Sequence, residues 1–182
     1  MKKILFINAC VRKNSRTYAI AEELLSTLDG VVEEINLEKE NIKPLDRARL
    51  EFREGRCREK DFSDAMFDLA KKFREADEIV ISAPYWDLSF PSILKIYLEN
   101  VTVAGITFEY HDGKPVGLCK AKKLYYVTTS GGPITFDFGY DYVKTLAKGF
   151  YGILDTTCIR VQNTDVLCLT PDTVHNHKEI IK

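Results

Sequence analysis

Three short stretches of this sequence carry residue types suited to holding a flat, phosphorylated molecule. The first is Asn8-Ala9-Cys10-Val11-Arg12-Lys13-Asn14-Ser15-Arg16-Thr17. It offers the Ser15 and Thr17 hydroxyls and the Arg12 guanidinium beside the backbone N–H groups of an expected helix start, an arrangement that suits a phosphate. The competing reading is that Ser15 only caps the helix. No G-x-G-x-x-G and no G-x-x-x-x-G-K-[ST] is present, so neither a dinucleotide fingerprint nor a Walker loop can be assigned. The second stretch, Ala83-Pro84-Tyr85-Trp86-Asp87-Leu88-Ser89-Phe90-Pro91, holds the single tryptophan. An aromatic platform of this kind suits a flat ring system, unless Trp86 and Phe90 merely plug the end of a sheet. The third, Thr128-Thr129-Ser130-Gly131-Gly132-Pro133, has paired glycines that let backbone N–H groups approach a ring closely, although alone it reads equally as a plain turn.

The elements around these stretches explain why they belong together. Ile4 to Asn8 is a short apolar run expected as a buried strand. Ser15 to Leu28 has apolar residues at helical spacing and ends at Asp29-Gly30. Val31 to Leu37 alternates as a second strand, Ser63 to Ala76 reads as a helix, and Glu78 to Ala83 as a third buried strand. Pro91 suits the first turn of a helix over Ser92 to Val103. Thr107 to Tyr110 and Val116 to Leu118 flank a hairpin-like turn. Lys123 to Thr129, Asp141 to Phe150 and Thr156 to Val161 read as strand, helix and strand, while Lys43 to Lys60 is too charged to assign. The alternation predicts an α/β protein with a five-stranded parallel sheet, order 2-1-3-4-5, and helices on both faces. Ligands of such sheets bind outside the carboxyl ends of the strands, where all three stretches fall.

Composition narrows the function classes. With 182 residues, 45% of them apolar, the chain suffices for one domain. Its 26 basic and 27 acidic residues leave a formal net charge of −1, without the basic footprint of a nucleic-acid binder or a membrane-binding patch. No apolar run reaches the length of a bilayer span. Met1-Lys2-Lys3 before Ile4-Leu5-Phe6-Ile7 is read as the lead into the first strand rather than a signal peptide, because Asn8 and Arg12 follow at once. The five cysteines lack a C-x-x-C pair, and only His175 and His177 of the three histidines are close. That pattern supports neither a disulfide framework nor a metal site, and it fits a reducing cytoplasm.

From Ile4 to about Ile159 the chain resembles the flavodoxin-like NAD(P)H dehydrogenases, and within them the FMN-dependent NADH azoreductases. The block Ala104-Gly105-Ile106-Thr107-Phe108-Glu109-Tyr110, with Pro115-Val116-Gly117-Leu118 and Lys122-Lys123, carries the similarity most specifically, and Ser130-Gly131-Gly132 matches as well. The resemblance implies a flavodoxin-like fold with FMN, its phosphate near Cys10, Arg12, Ser15 and Thr17. Its ring would lie between Pro84, Tyr85, Trp86, Asp87, Leu88 and Ser130, Gly131, Gly132. It also implies a homodimer that oxidises NAD(P)H and reduces a quinone, azo compound or other small acceptor, the flavin carrying the chemistry. Phe136, Phe138 and Tyr140 are candidates to wall the substrate pocket, with core packing as the alternative for each. A flavodoxin-type electron carrier is the rival class, but the acidic surface and T-x-T-G-x-T loop typical of it are missing. The chain departs from the family where Cys10 replaces a serine, where Asp87 replaces an asparagine, and in the tail after Val161. Asp87 could oppose negative charge on the ring or cap the following helix.

Overall fold

A computed structural model describes residues 1–182. Strand β1 (Lys3–Asn8) is buried from Ile4 onward because it has a parallel neighbour on each side, β2 (Val31–Asn36) and β3 (Glu78–Ser82). Two further parallel strands, β6 (Lys123–Thr129) and β7 (Asp155–Val161), continue the sheet beyond β3. The intervening β4 (Phe108–His111) and β5 (Lys114–Gly117) form a separate antiparallel ribbon.

The sheet differs from expectation by one added edge strand. It has six strands in the order β2-β1-β3-β6-β7-β8, the last being the antiparallel edge strand β8 (Glu179–Ile181). At three residues, β8 is too short to leave a periodic signature in the sequence. The five expected strand segments occupy the first five places.

Helices α1 (Arg16–Thr27), α3 (Asp68–Glu75), α4 (Ser92–Val101) and α5 (Tyr140–Leu146) cover the two faces. Alternate strand residues feed two cores. Leu5, Ile7, Ile79, Ile81 and Leu124 join a cluster of 27 buried residues with α3, α4 and α5. Ile4, Phe6, Val80 and Val127 join a cluster of nine beneath α1 and Val174. The unassigned Lys43–Lys60 stretch contains a helix, α2 (Arg47–Glu59), capped by Asp46 and holding no buried residue. It is fastened by Arg53 Nη1 donating to the Glu99 carbonyl (2.8 Å), so charge contacts replace the apolar stripe that periodicity detects.

The helix expected over Ser63–Ala76 is in two pieces. A 3₁₀ turn at Ala65–Phe67, capped by Asp64, precedes α3. Similarly, α5 passes into a π-helical turn at Ala147–Tyr151 that ends at Gly152.

Candidate functional site

Hydrogen bonds between strand ends set the site's frame. Ala9 N–H donates to Ser82 O (2.8 Å), Ala83 N–H to Val127 O (2.9 Å), Tyr85 N–H to Thr129 O (3.0 Å) and Ser130 N–H to Val161 O (3.0 Å). The loops after β1, β3 and β6 therefore leave the sheet side by side. Between them lies a cleft of about 200 Å³, lined by Arg12, Asn14, Ser15, Arg16, Thr17, Pro84, Tyr85, Trp86, Thr129, Gly131, Thr164 and Asp165, with Val11 completing it.

One end of this cleft is built from donors. The backbone N–H groups from Val11 to Thr17 take no partner within the chain. Ser15 Oγ accepts from the Tyr18 N–H (3.2 Å), so Ser15 does cap α1, yet its own hydrogen remains free to donate. The Thr17 and Thr129 hydroxyls are 2.7 Å apart and buried, which locks the start of α1 to the end of β6. Cys10 is not a lining residue. It lies beneath the loop, 7% exposed, with its N–H on Asn8 Oδ1 (2.9 Å) and Sγ 2.9 Å from Ser82 Oγ. Burial pushes this thiol up, partly offset by the Ser15 and Ser82 hydroxyls.

The other end is aromatic. Trp86 and Ser89 exchange backbone hydrogen bonds (3.0 and 2.8 Å) around Asp87 and Leu88, whose φ values of +50° and +68° make a tight turn of the left-handed hairpin type. Asparagine and aspartate tolerate that region, whereas for leucine it costs about 1–2 kcal/mol. The turn is held from outside: the Phe138 N–H donates to Leu88 O (3.1 Å), Ser89 Oγ to Phe138 O (3.3 Å) and Tyr85 Oη to Phe136 O (2.7 Å). The N–H groups of Asp87 and Leu88 point out unpaired. Asp87 does not cap α4, whose N-cap position is Pro91 without a side-chain bond.

Sequence-expected residues thus divide. Arg12, Ser15, Thr17, Pro84, Tyr85, Trp86 and Gly131 line the cleft; Asp87, Leu88 and Gly132 adjoin lining residues in the same loops, and Ser130 is buried beneath. The Gly131 and Gly132 N–H groups are unpaired. Phe136 and Phe138 stand at the aromatic mouth, each 58% exposed, with parallel rings 6.1 Å apart. Phe90 packs against Tyr142 (5.7 Å), so the plugging role belongs to it and not to Trp86, which is 36% exposed. Tyr140 is misplaced by the sequence reading. It is buried on α5, and its hydroxyl donates to Thr156 O (3.2 Å), away from the mouth.

Six lining residues are not among the expected site residues: Val11, Asn14, Arg16, Thr129, Thr164 and Asp165. Arg16 Nη2 pairs with Asp165 Oδ1 (2.6 Å) and Nη1 donates to Leu169 O (3.3 Å). Thr164 Oγ1 donates to Ser130 O (2.9 Å). Thr129 was visible as the last residue before Ser130-Gly131-Gly132, but nothing in the sequence ties the tail residues to the cleft.

The donor set fits FMN. One end supplies a positively polarised helix start with free N–H groups and hydroxyls for a phosphate; the other supplies unpaired N–H groups and ring faces for a flat heterocycle. Fold and cleft together define an α/β protein of the flavodoxin-like class. A family model described as "Flavodoxin-like fold" matches residues 2–181. The chain belongs to that family. It is 34% identical over 177 residues to a protein of Clostridium perfringens named FMN-dependent NADH:quinone oxidoreductase, covering 92% of this chain and 89% of that one. A protein of the same name from Coprothermobacter proteolyticus is 32% identical over 180 residues, with the same shares covered. Among solved structures, an FMN-dependent NADH-azoreductase from Bacillus anthracis in complex with FMN superimposes with a TM-score of 0.79 at 27% identity, over 97% of this chain and 93% of that one.

Proposed function

We propose that this chain is an FMN-dependent oxidoreductase that oxidises NAD(P)H and reduces a quinone, azo compound or similar flat acceptor. For a quinone the balance is NAD(P)H + H⁺ + quinone giving NAD(P)⁺ + hydroquinone. The observation that carries the reading is the set of unpaired N–H groups on the loops that surround one cleft: Val11 to Thr17 after β1, Asp87 and Leu88 after β3, Gly131 and Gly132 after β6. When bound, FMN supplies the hydride and electron chemistry.

The chain's residues position and select. The N–H groups at the start of α1, with Arg12, Ser15 and Thr17, would hold the phosphate. The glycines and the Asp87-Leu88 turn would donate to the polar edge of the ring. Trp86, Phe136 and Phe138 would guide flat substrates onto its exposed face and keep water from it. The relatives' names support NADH as reductant and quinones or azo compounds as acceptors. We also propose a homodimer working in the cytoplasm. The resemblance to the FMN-dependent NADH azoreductases implies the dimer, and no helix is long and apolar enough to cross a membrane.

The test is to identify the flavin released on denaturation by chromatography, then to follow NADH oxidation with 1,4-naphthoquinone. FMN with parallel double-reciprocal lines is expected. Release of FAD, failure to bind added FMN, or FMN binding without NADH oxidation would each sink the reading, the last in favour of an electron carrier.

A further inference from the structure

The aromatic mouth contains one carboxylate with nothing to neutralise it. Asp87 is exposed at the tip of its turn, and no ion pair or side-chain hydrogen bond engages it. The other acid nearby, Asp137, lies between Phe136 and Phe138 but is half-buried, accepting from the N–H groups of Gly139 (3.2 Å) and Tyr140 (2.8 Å) at the start of α5. The basic residues Arg12 and Arg16 line the opposite, phosphate-holding end, and Arg16 is already paired with Asp165. Two arginines and Asp165 thus line the cleft, and the unpaired carboxylate of Asp87 stands on the aromatic turn beside it. The backbone that carries Asp87 is fixed, because the turn is closed by the Trp86–Ser89 bonds and tied to Phe138.

We propose that Asp87 selects electron acceptors by charge, admitting flat neutral or cationic rings and disfavouring those that carry sulfonate or carboxylate groups. This rests on the proposed reductase activity and goes beyond it by naming the acceptor class. The physical basis is direct. An acceptor stacked among Trp86, Leu88, Phe136 and Phe138 brings any anionic substituent near an uncompensated, solvent-exposed carboxylate, so the repulsion is felt at low salt and screened at high salt.

The experiment compares kcat/KM for 1,4-naphthoquinone and 1,4-naphthoquinone-2-sulfonate, with NADH as reductant, in wild type, Asp87→Asn and Asp137→Asn. Taking each variant's sulfonate-to-neutral ratio against that of wild type cancels the intrinsic reactivity of the two quinones. It also cancels any change in the driving force of the bound cofactor. Asparagine is at home at φ +50°, so the turn survives the first substitution. FMN absorbance and the circular dichroism spectrum verify that the fold is intact. Asp87→Asn is expected to raise the sulfonate ratio about fivefold at low salt, the gain shrinking toward unity at about 0.5 M salt. Asp137→Asn is expected to leave the ratio unchanged. An unchanged ratio in Asp87→Asn, an equal rise in both variants, or a rise indifferent to salt would overturn the charge-selection role. Absence of activity with the neutral quinone would instead overturn the reductase reading on which it rests.

Discussion

Ser15 shows how one side chain serves two masters. A hydroxyl donates once and accepts twice, so its oxygen can cap α1 through the Tyr18 N–H and still leave a hydrogen to donate. Ser15→Ala is expected to cost about 1 kcal/mol of stability, which lowers Tm by about 2–4 °C in a domain of this size. It should also weaken FMN binding, read from melts with and without FMN: a larger drop with FMN present marks the second role, and equal drops leave only the cap. The cap was legible in the sequence, and so was the proposed anion contact as its alternative, because capping and anion binding use the same residue types at the same place. Cys10 was legible only in part. Its position in the loop was plain, but its direction was not, since the contact with Ser82 joins residues 72 apart in sequence. Burial raises this thiol and pushes that of Cys119 to about 12, while Cys168 is exposed. Thiolates, not thiols, are the nucleophiles. Ellman's reagent at neutral pH is therefore expected to modify Cys168 first and to reach the buried Cys10 and Cys158 only after unfolding. Rapid modification of either of these two in folded protein would contradict their burial.

Elements meet at two glycines whose tolerance to change should differ sharply. A Cβ on Gly117, at the end of β5, would come within 2.1 Å of backbone atoms of Tyr151 and Gly152, which cannot yield as a flexible side chain could. Gly117→Ala is expected to destabilise the fold by about 3 kcal/mol, by denaturant titration, while Gly132→Ala, with open space around it, stays within about 0.5 kcal/mol. The Pro115-Val116-Gly117-Leu118 motif thus has a packing reason: it seats the ribbon on the π-helical turn. A second junction holds the tail to α1. The Glu23 carboxylate accepts from His175 Nδ1 and Lys178 Nζ, each at 2.5 Å, and these partners hold its carboxyl below the usual range. A depressed carboxylate contributes above its unfolded pKa and loses that contribution as pH falls, so the tail should loosen in acid. Glu23→Gln is expected to speed amide exchange across 170–178 at neutral pH; unchanged exchange would show that Val174 alone anchors the segment. The central strands were legible because buried parallel strands are apolar runs. α2 and β8 were not, because one buries no face and the other is held by distant partners.

Across the molecule the two sheet faces are unequal, 27 buried residues in one cluster and nine in the other. The smaller face lies under α1 and the tail, where the sequence says least. There the reading of the sequence stopped, since Arg16–Asp165 and Thr164–Ser130 are long-range pairings without periodicity. Assembly belongs to this scale too. Sedimentation equilibrium is expected to give twice the chain mass of 20.8 kDa, and a monomer at micromolar concentration would remove the dimer from the proposal. The short strand β8 has a last consequence, for shelf life. It covers only Cys158 to Arg160 of β7, and the Glu179 carboxylate, receiving Arg160 Nε (3.0 Å) and Gln162 Nε2 (3.1 Å), fastens it. An open strand edge is a template on which another chain can add. If that fastening slips, purified protein should turn cloudy in storage while molecules still in solution keep an intact cleft. Glu179→Ala samples, watched by light scattering alongside wild type, are expected to cloud first.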